Sequence, residues 1–208
     1  MSFLTILPLA IVMVAGPQII SPIFLALGDN YRRVSRAYLA GVALAITLGV
    51  TVVYLVAKQL KVSAGSSEQA TWVTVADWVI AVLLLYLMVR IFRTRGRRTE
   101  APKWMGKLQT ASPKFSFRLG FLLFIAMPTD VITMLTVGIT LARDNSPWWQ
   151  CVPFLLLTML FAALPLLTVL LLGKRAQEIL PEIRDWMNGN SWLVSEFVLG
   201  FFLAMMIL

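Results

Sequence analysis

The chain has 208 residues, of which 59% are apolar and only 13% charged, and it carries a net charge of +8. A soluble domain is about a quarter charged residues, so too little polar side chain is present to cover a water-facing globule, and the apolar excess must face lipid. The basic residues lie between apolar runs, so a membrane reading takes precedence over nucleic-acid binding; the single cysteine, Cys151, and the absence of histidine exclude an intrachain disulfide, a thiolate metal centre and an imidazole proton shuttle.

A membrane span needs about 20 mainly apolar residues. Segments 3–27, 37–57, 72–92, 117–142, 148–173 and 192–208 all qualify. The first has no charged region ahead of it, and Gly16-Pro17 is a poor cleavage context, so it reads as a span rather than a leader. All six should be helices, because an open strand leaves its backbone unsatisfied in lipid. Between the fifth and sixth, residues 174–188 resemble a short amphipathic interfacial helix, interrupted at Pro181, with Trp186 and Trp192 at headgroup level.

Arg32, Arg33 and Arg36 follow the first span, a run of Arg and Lys fills 93–116, and Lys174, Arg175 and Arg184 follow the fifth; the opposite side holds only Lys58, Lys61 and Arg143. The positive-inside rule then places the basic loops in the cytoplasm and both termini outside. Arg32, Arg33, Arg36, Arg90 and Arg118 serve as topology determinants or as contacts for anionic lipid headgroups.

The basic loop 93–116 divides the chain into halves 1–92 and 117–208, each with three predicted spans. An odd number per half means the two enter the membrane from opposite sides, so similarity between them would be an inverted repeat, a common transporter plan. Ala15-Gly16-Pro17-Gln18-Ile19-Ile20 in the first span matches Ala126-Met127-Pro128-Thr129-Asp130-Val131 in the fourth: each has a mid-span proline followed at once by a polar residue. The runs end in Gly28-Asp29-Asn30 and Arg143-Asp144-Asn145, and each is followed by a long charge-free helix. The fold class expected is therefore an all-α integral membrane protein, six transmembrane helices as two inverted three-helix repeats.

Pro17 and Pro128 each remove a backbone donor at mid-depth, and such breaks either supply groups that bind substrate or ions, or are plain kinks. Asp130 sits near the middle of a span, where a carboxylate costs at least a few kcal/mol; such residues face the bundle interior or a water-filled cavity and suit proton coupling. It could equally cap a half-helix beginning after Pro128. Gln18 is placed to share a hydrogen bond with Asp130 across the repeat. Thr129, Thr133, Thr136 and Thr140 share one helix face, and Thr47 and Thr51 form a shorter stripe; these line a polar path or serve interhelical packing. Glu196, about one turn inside the sixth span, is an interfacial acid or a second coupling site, and Gly41 and Gly49 allow close helix packing. One deep acid is too few for a divalent-cation path. No Walker motif or nucleophile–base pair is present, so neither an enzyme nor a cofactor or metal requirement is expected.

The run PLAIVMVAGPQIISPIFLALGDNYRRVSRAYLAGVALAITLGV resembles the first hairpin of the lysine-exporter (LysE) superfamily, and FRLGFLLFIAMPTDVITML is similar to its second-half counterpart. The C-terminal EIRDWMNGNSWLVSEFVLGFFL, with Arg184-Asp185-Trp186, looks most like the superfamily's GAP family, the glycopeptidolipid and sulfolipid addressing proteins of actinobacteria. Gly16, Pro17, Pro128 and Asp130 fall at pattern positions. Ala15-Gly16-Pro17 lacks the first proline of the amino-acid exporters' Pro-Gly-Pro, and Met127-Pro128 replaces their asparagine-proline; both departures weaken a reading as amino-acid export. The resemblance implies a six-helix transporter moving a lipid or glycolipid across the plasma membrane of a prokaryote, with Gly16, Pro17, Gln18, Pro128, Thr129, Asp130, Thr133 and Glu196 as substrate or coupling residues. Its partners are then the lipid substrate, membrane lipids, protons as coupling ion and, for so small a bundle, a second copy in a homodimer. The alternatives are a small-solute exporter of amino-acid-like cations and an accessory subunit of a larger lipid-export machine.

Overall fold

The computed structural model describes residues 9–14, 17–60, 85–86, 88–90, 92–93, 108, 110–190, 192–193, 196 and 200. The described elements, in chain order, are α1 (Leu9–Val14), α2 (Pro17–Ala26), α3 (Tyr31–Gln59), α4 (Pro113–Ala126), α5 (Pro128–Arg143), a 3₁₀ turn (Trp148–Cys151), α6 (Val152–Leu172), a second 3₁₀ turn (Gly173–Arg175) and α7 (Ala176–Gly189). There is no strand among the described residues. The chain is an all-helical membrane protein. Tyr31–Gln59 and Trp148–Arg175 are each long and apolar enough to cross a bilayer, and α4 with α5, bent by 70°, count as a third if the pair is one span. Most of the predicted third and sixth spans, the loop 93–116 and Gly16 lie outside the described residues.

The element boundaries follow local chemistry. α4 begins earlier than expected because Ser112 caps it, its hydroxyl accepting from the Phe115 amide at 3.2 Å, and Pro113 occupies the first helical position, where a missing N–H costs nothing. Met127, just before Pro128, is held extended (φ −76°, ψ 125°), because proline pushes its predecessor out of the helical region; this bends α4 against α5. α3 starts at Tyr31, not at 37, so Arg32, Arg33 and Arg36 lie on its first turns rather than in a loop: arginine is a good helix former, and the helix outlasts the apolar segment. The break expected at Pro181 is absent. α7 runs through it, since proline removes only the bond to the carbonyl of residue 177 in the first turn, and Ala176 and Leu180 before it and Met187 after it are packed into one apolar cluster.

α3 is the centre of the bundle, flanked by α4 and α5, while α6 packs against α1, α2 and α3. Gly41 and Gly120 bring α3 and α4 into backbone contact: a Cβ on Gly41 would strike the Phe117 carbonyl, and one on Gly120 the Tyr38 carbonyl. Further along, Gly49 meets Met134 and Gly138 meets Val53 and Tyr54, so α3 and α5 run in the same direction. Tyr38, Val42, Ile46, Val50, Phe124, Met134 and Phe154 fill the resulting core. Leu44, Leu48 and Leu55 of α3, Ile132 of α5 and Leu156, Leu160 and Leu171 of α6 are exposed, as lipid-facing residues should be.

α7 lies across the end of α2, burying Ile23, Ala26, Ala176 and Leu180 together, and the Arg184 guanidinium stands 5.2 Å from the centre of the Phe24 ring. Its remaining apolar residues, Ile179, Ile183 and Trp186, are exposed along one stripe, which suits an interfacial helix.

Candidate functional site

α5 restarts at Pro128 after the break at Met127, so Asp130 falls in its first turn, and Gln18 lies in the described part of α2 next to Pro17. Both side chains are buried, Gln18 with 1% and Asp130 with 0% of its surface exposed. They meet: Gln18 Nε2 donates to Asp130 Oδ2 at 2.8 Å, linking residues 112 positions apart in the chain. The hydrogen bond expected between them is therefore present. Asp130 also lies at the N-terminus of α5, where free amides and the helix dipole favour a negative group.

The backbone around Gln18 is held by a residue that the sequence did not single out. Pro22 lies four residues on inside α2 and has no N–H, so the Gln18 carbonyl lacks its helical donor. The Tyr38 hydroxyl of α3, wholly buried, donates to that carbonyl at 2.9 Å. The glutamine that grips Asp130 is thus fixed at its backbone by a third helix. One turn further along α2 and α5, Ser21 and Thr133 are also fully buried, and so is Thr158 of α6.

Three polar atoms of this cluster, Gln18 Oε1, Asp130 Oδ1 and Ser21 Oγ, have no hydrogen-bond partner among the described residues. In hydrocarbon such groups are costly unless a ligand, a water or a proton completes them. With Asp130 ionised, both remaining oxygens of the pair are acceptors. A proton on Oδ1 turns that atom into a donor, able to bond Gln18 Oε1 if the two planar groups align.

Several threonines of the two stripes use their hydroxyl protons within their own helix. Thr133 and Thr136 donate to the carbonyls of Thr129 and Ile132 on their own helix, and Thr51 to that of Thr47. Thr129 and Pro128 are exposed. Glu196 is half-buried with Oε1 unpartnered, and no contact joins it to Asp130 among the described residues. Arg32, Arg33, Arg36, Arg90 and Arg118 are exposed. Gly16 and the side chain of Pro17 lie outside the described structure. Gly41 and Gly49 both sit at close helix contacts.

A family model described as Sap, sulfolipid-1-addressing protein matches residues 6–208. The chain belongs to that family. The likeness to sulfolipid addressing proteins drawn from Arg184-Asp185-Trp186 and the proline-containing spans thus holds over almost the whole chain. No curated protein matches the chain, and no solved structure does. Within this sulfolipid-addressing family member, the buried acid–amide pair and its unpartnered oxygens form the one place where ionisable and polar chemistry is concentrated deep in the described bundle.

Proposed function

We propose that this protein is a secondary transporter that moves a lipid or glycolipid across the plasma membrane, coupled to protons through Asp130. The observation that carries the reading is the 2.8 Å hydrogen bond between Gln18 and Asp130, which joins α2 to the second half of a proline-broken span and leaves one acceptor on each residue without a partner among the described residues. Intramembrane acids of this kind serve ion and substrate pathways. Family membership supplies the cargo class, since the family is described as addressing a sulfolipid.

The chain is read as six spans in two inverted repeats. Reciprocal packing supports this: α3, which follows α1 and α2, packs on α4 and α5, and α6, which follows α4 and α5, packs on α1 and α2. The Arg32-Arg33-Arg36 end is assigned to the cytoplasm and both termini to the outside. In the transport cycle, proton gain and loss at Asp130 change its bonding to Gln18, the ionised form accepting one charge-assisted bond and the protonated form able to exchange two, so the junction between α2 and α5 rearranges with proton occupancy. The protein works as a transporter, not an enzyme, and without cofactor.

Asp130→Asn keeps the size of the side chain and can still accept from Gln18, but it carries no exchangeable proton. Purified variant in liposomes is expected to fold and express like the parent and to lose lipid movement driven by a pH gradient. Parental rates in Asp130→Asn would eliminate coupling at this residue, and no lipid movement by the parent protein would favour the accessory-subunit reading.

A further inference from the structure

A cleft of about 230 Å³ opens between α3 and α6, lined by Ala43, Ile46 and Thr47 of α3 and by Val152, Leu155 and Met159 of α6. Its lining is almost wholly apolar, and the Thr47 hydroxyl is the one side-chain polar group in it. Its outer edges are continuous with Leu44 and Leu48 on α3 and with Leu156 and Leu160 on α6, all exposed on segments that cross the membrane. A furrow in that surface is bathed by lipid tails rather than water.

The chemistry changes in order along α3. Ala43, Thr47, Thr51, Tyr54 and Lys58 share one helix face and rise over about 22 Å at 1.5 Å per residue. Above the apolar floor, Thr51 accepts from the Trp148 indole N–H at 3.0 Å, and Tyr54 donates to the Ser146 carbonyl at 3.1 Å. Tryptophan and tyrosine with hydrogen-bonded tips are what the headgroup boundary selects. Lys58 stands at the top, exposed, its ammonium 5.5 Å from the centre of the Tyr54 ring and 3.4 Å from its hydroxyl. Tail-like surface, hydroxyl belt and cation follow in the order that tail, linkage and anionic head take in a lipid.

We propose that the cleft between α3 and α6 binds one acyl chain of an anionic lipid whose headgroup rests at Lys58. This rests on the lipid-transport reading and adds a place and a headgroup charge to it. The site lies on the membrane face where α3 ends, away from the Arg32–Arg36 end, and so is the station where cargo meets the opposite leaflet.

The test uses the full chain in phosphatidylcholine liposomes containing a trace of phosphatidylglycerol or phosphatidylcholine, each with a photoreactive group on its acyl tail. After illumination, labelled peptides are mapped by mass spectrometry. The anionic probe should label segment 152–159 about fivefold more than the neutral one, the preference that one well-placed lysine gives. Lys58→Gln should erase that preference while the neutral probe still labels. Ala43→Phe, which fills the cleft, should reduce labelling by both probes to the level seen around Leu122 and Ile132; a circular-dichroism spectrum confirms that each variant is folded. Equal labelling by the two probes in the parent protein, or labelling no denser at 152–159 than at Leu122, would each overturn the proposal. Lipid movement is measured separately in the same liposomes: movement without cleft labelling removes the site and leaves the transporter, and labelling without movement removes the transporter and leaves the site.

Discussion

Tyr38 and Pro22 make a joint prediction about what holds Gln18 in place. Pro22 leaves the Gln18 carbonyl without a helical donor, and Tyr38 supplies one from α3 at 2.9 Å. Tyr38→Phe keeps the ring and deletes only the hydroxyl, so a buried carbonyl loses its partner, at a cost of about 1–3 kcal/mol. Interhelical hydrogen bonds measured inside membranes fall lower, averaging about 0.6 kcal/mol with values up to about 1.7, so roughly 1 kcal/mol is the expected loss. Pro22→Ala restores an N–H four residues after Gln18, and the carbonyl can then be satisfied within α2. In that background Tyr38→Phe should cost about 1 kcal/mol less, a coupling well above the roughly 0.3–0.5 kcal/mol scatter of independent sites. Reversible denaturation in mixed micelles, followed by circular dichroism for parent, both single variants and the double variant, reads the coupling directly. The packing lost with the proline ring cancels in the cycle to the extent that it is the same in both backgrounds. Strictly additive losses would refute the claim that the phenol replaces the bond that proline removes.

The glycine contacts should separate by what each would strike. Gly41→Ala and Gly120→Ala drive a Cβ into backbone carbonyls and should each cost about 1–3 kcal/mol in the same assay, whereas Gly49→Ala meets the mobile end of Met134 and should cost under about 1 kcal/mol. Ser112→Ala removes the cap of α4 and should lower stability by about 1 kcal/mol, with hydrogen exchange rising at the Phe115 amide and its neighbours rather than along α5.

Much of this architecture was legible because proline and charge act locally. Pro128 marks a helix restart, and the 70° bend follows from the extended conformation that it imposes on Met127. Asp130 stood out because an acid in an apolar run has few benign explanations, and Gln18 because it occupies the matching place. Tyr38 did not stand out. Its role depends on which helix lies beside α2, information that composition and periodicity do not contain. The one local clue was the spacing of Gln18 and Pro22, which marks the orphaned carbonyl without naming its donor. The threonine stripe shows the converse: periodicity locates a hydroxyl on a face but cannot tell that the protons of Thr133 and Thr136 are already used by the carbonyl one turn back. The first turns of α3 were missed because arginines read as loop by charge while remaining good helix formers.

That use of threonine protons bears on why the Gln18–Asp130 pair stands apart. A membrane supplies no water to satisfy a polar group, so a hydroxyl in a spanning helix does best by bonding its own backbone. Thr51, Thr133, Thr136, Thr158 and Thr168 all do so, at 2.6–2.9 Å. Glutamine and aspartate near the first turn of a helix have no such recourse for both of their terminal atoms, and must find partners across the bundle. Each finds one in the other and keeps one oxygen unmet. A pair selected only to fasten two helices would be served as well by a threonine on each, with every proton accounted for. The residue types present instead leave room for an added proton or polar ligand that would change the strength of the junction, at the restart of α5 after Pro128 and beside the Gln18 carbonyl that the Tyr38 phenol of α3 holds.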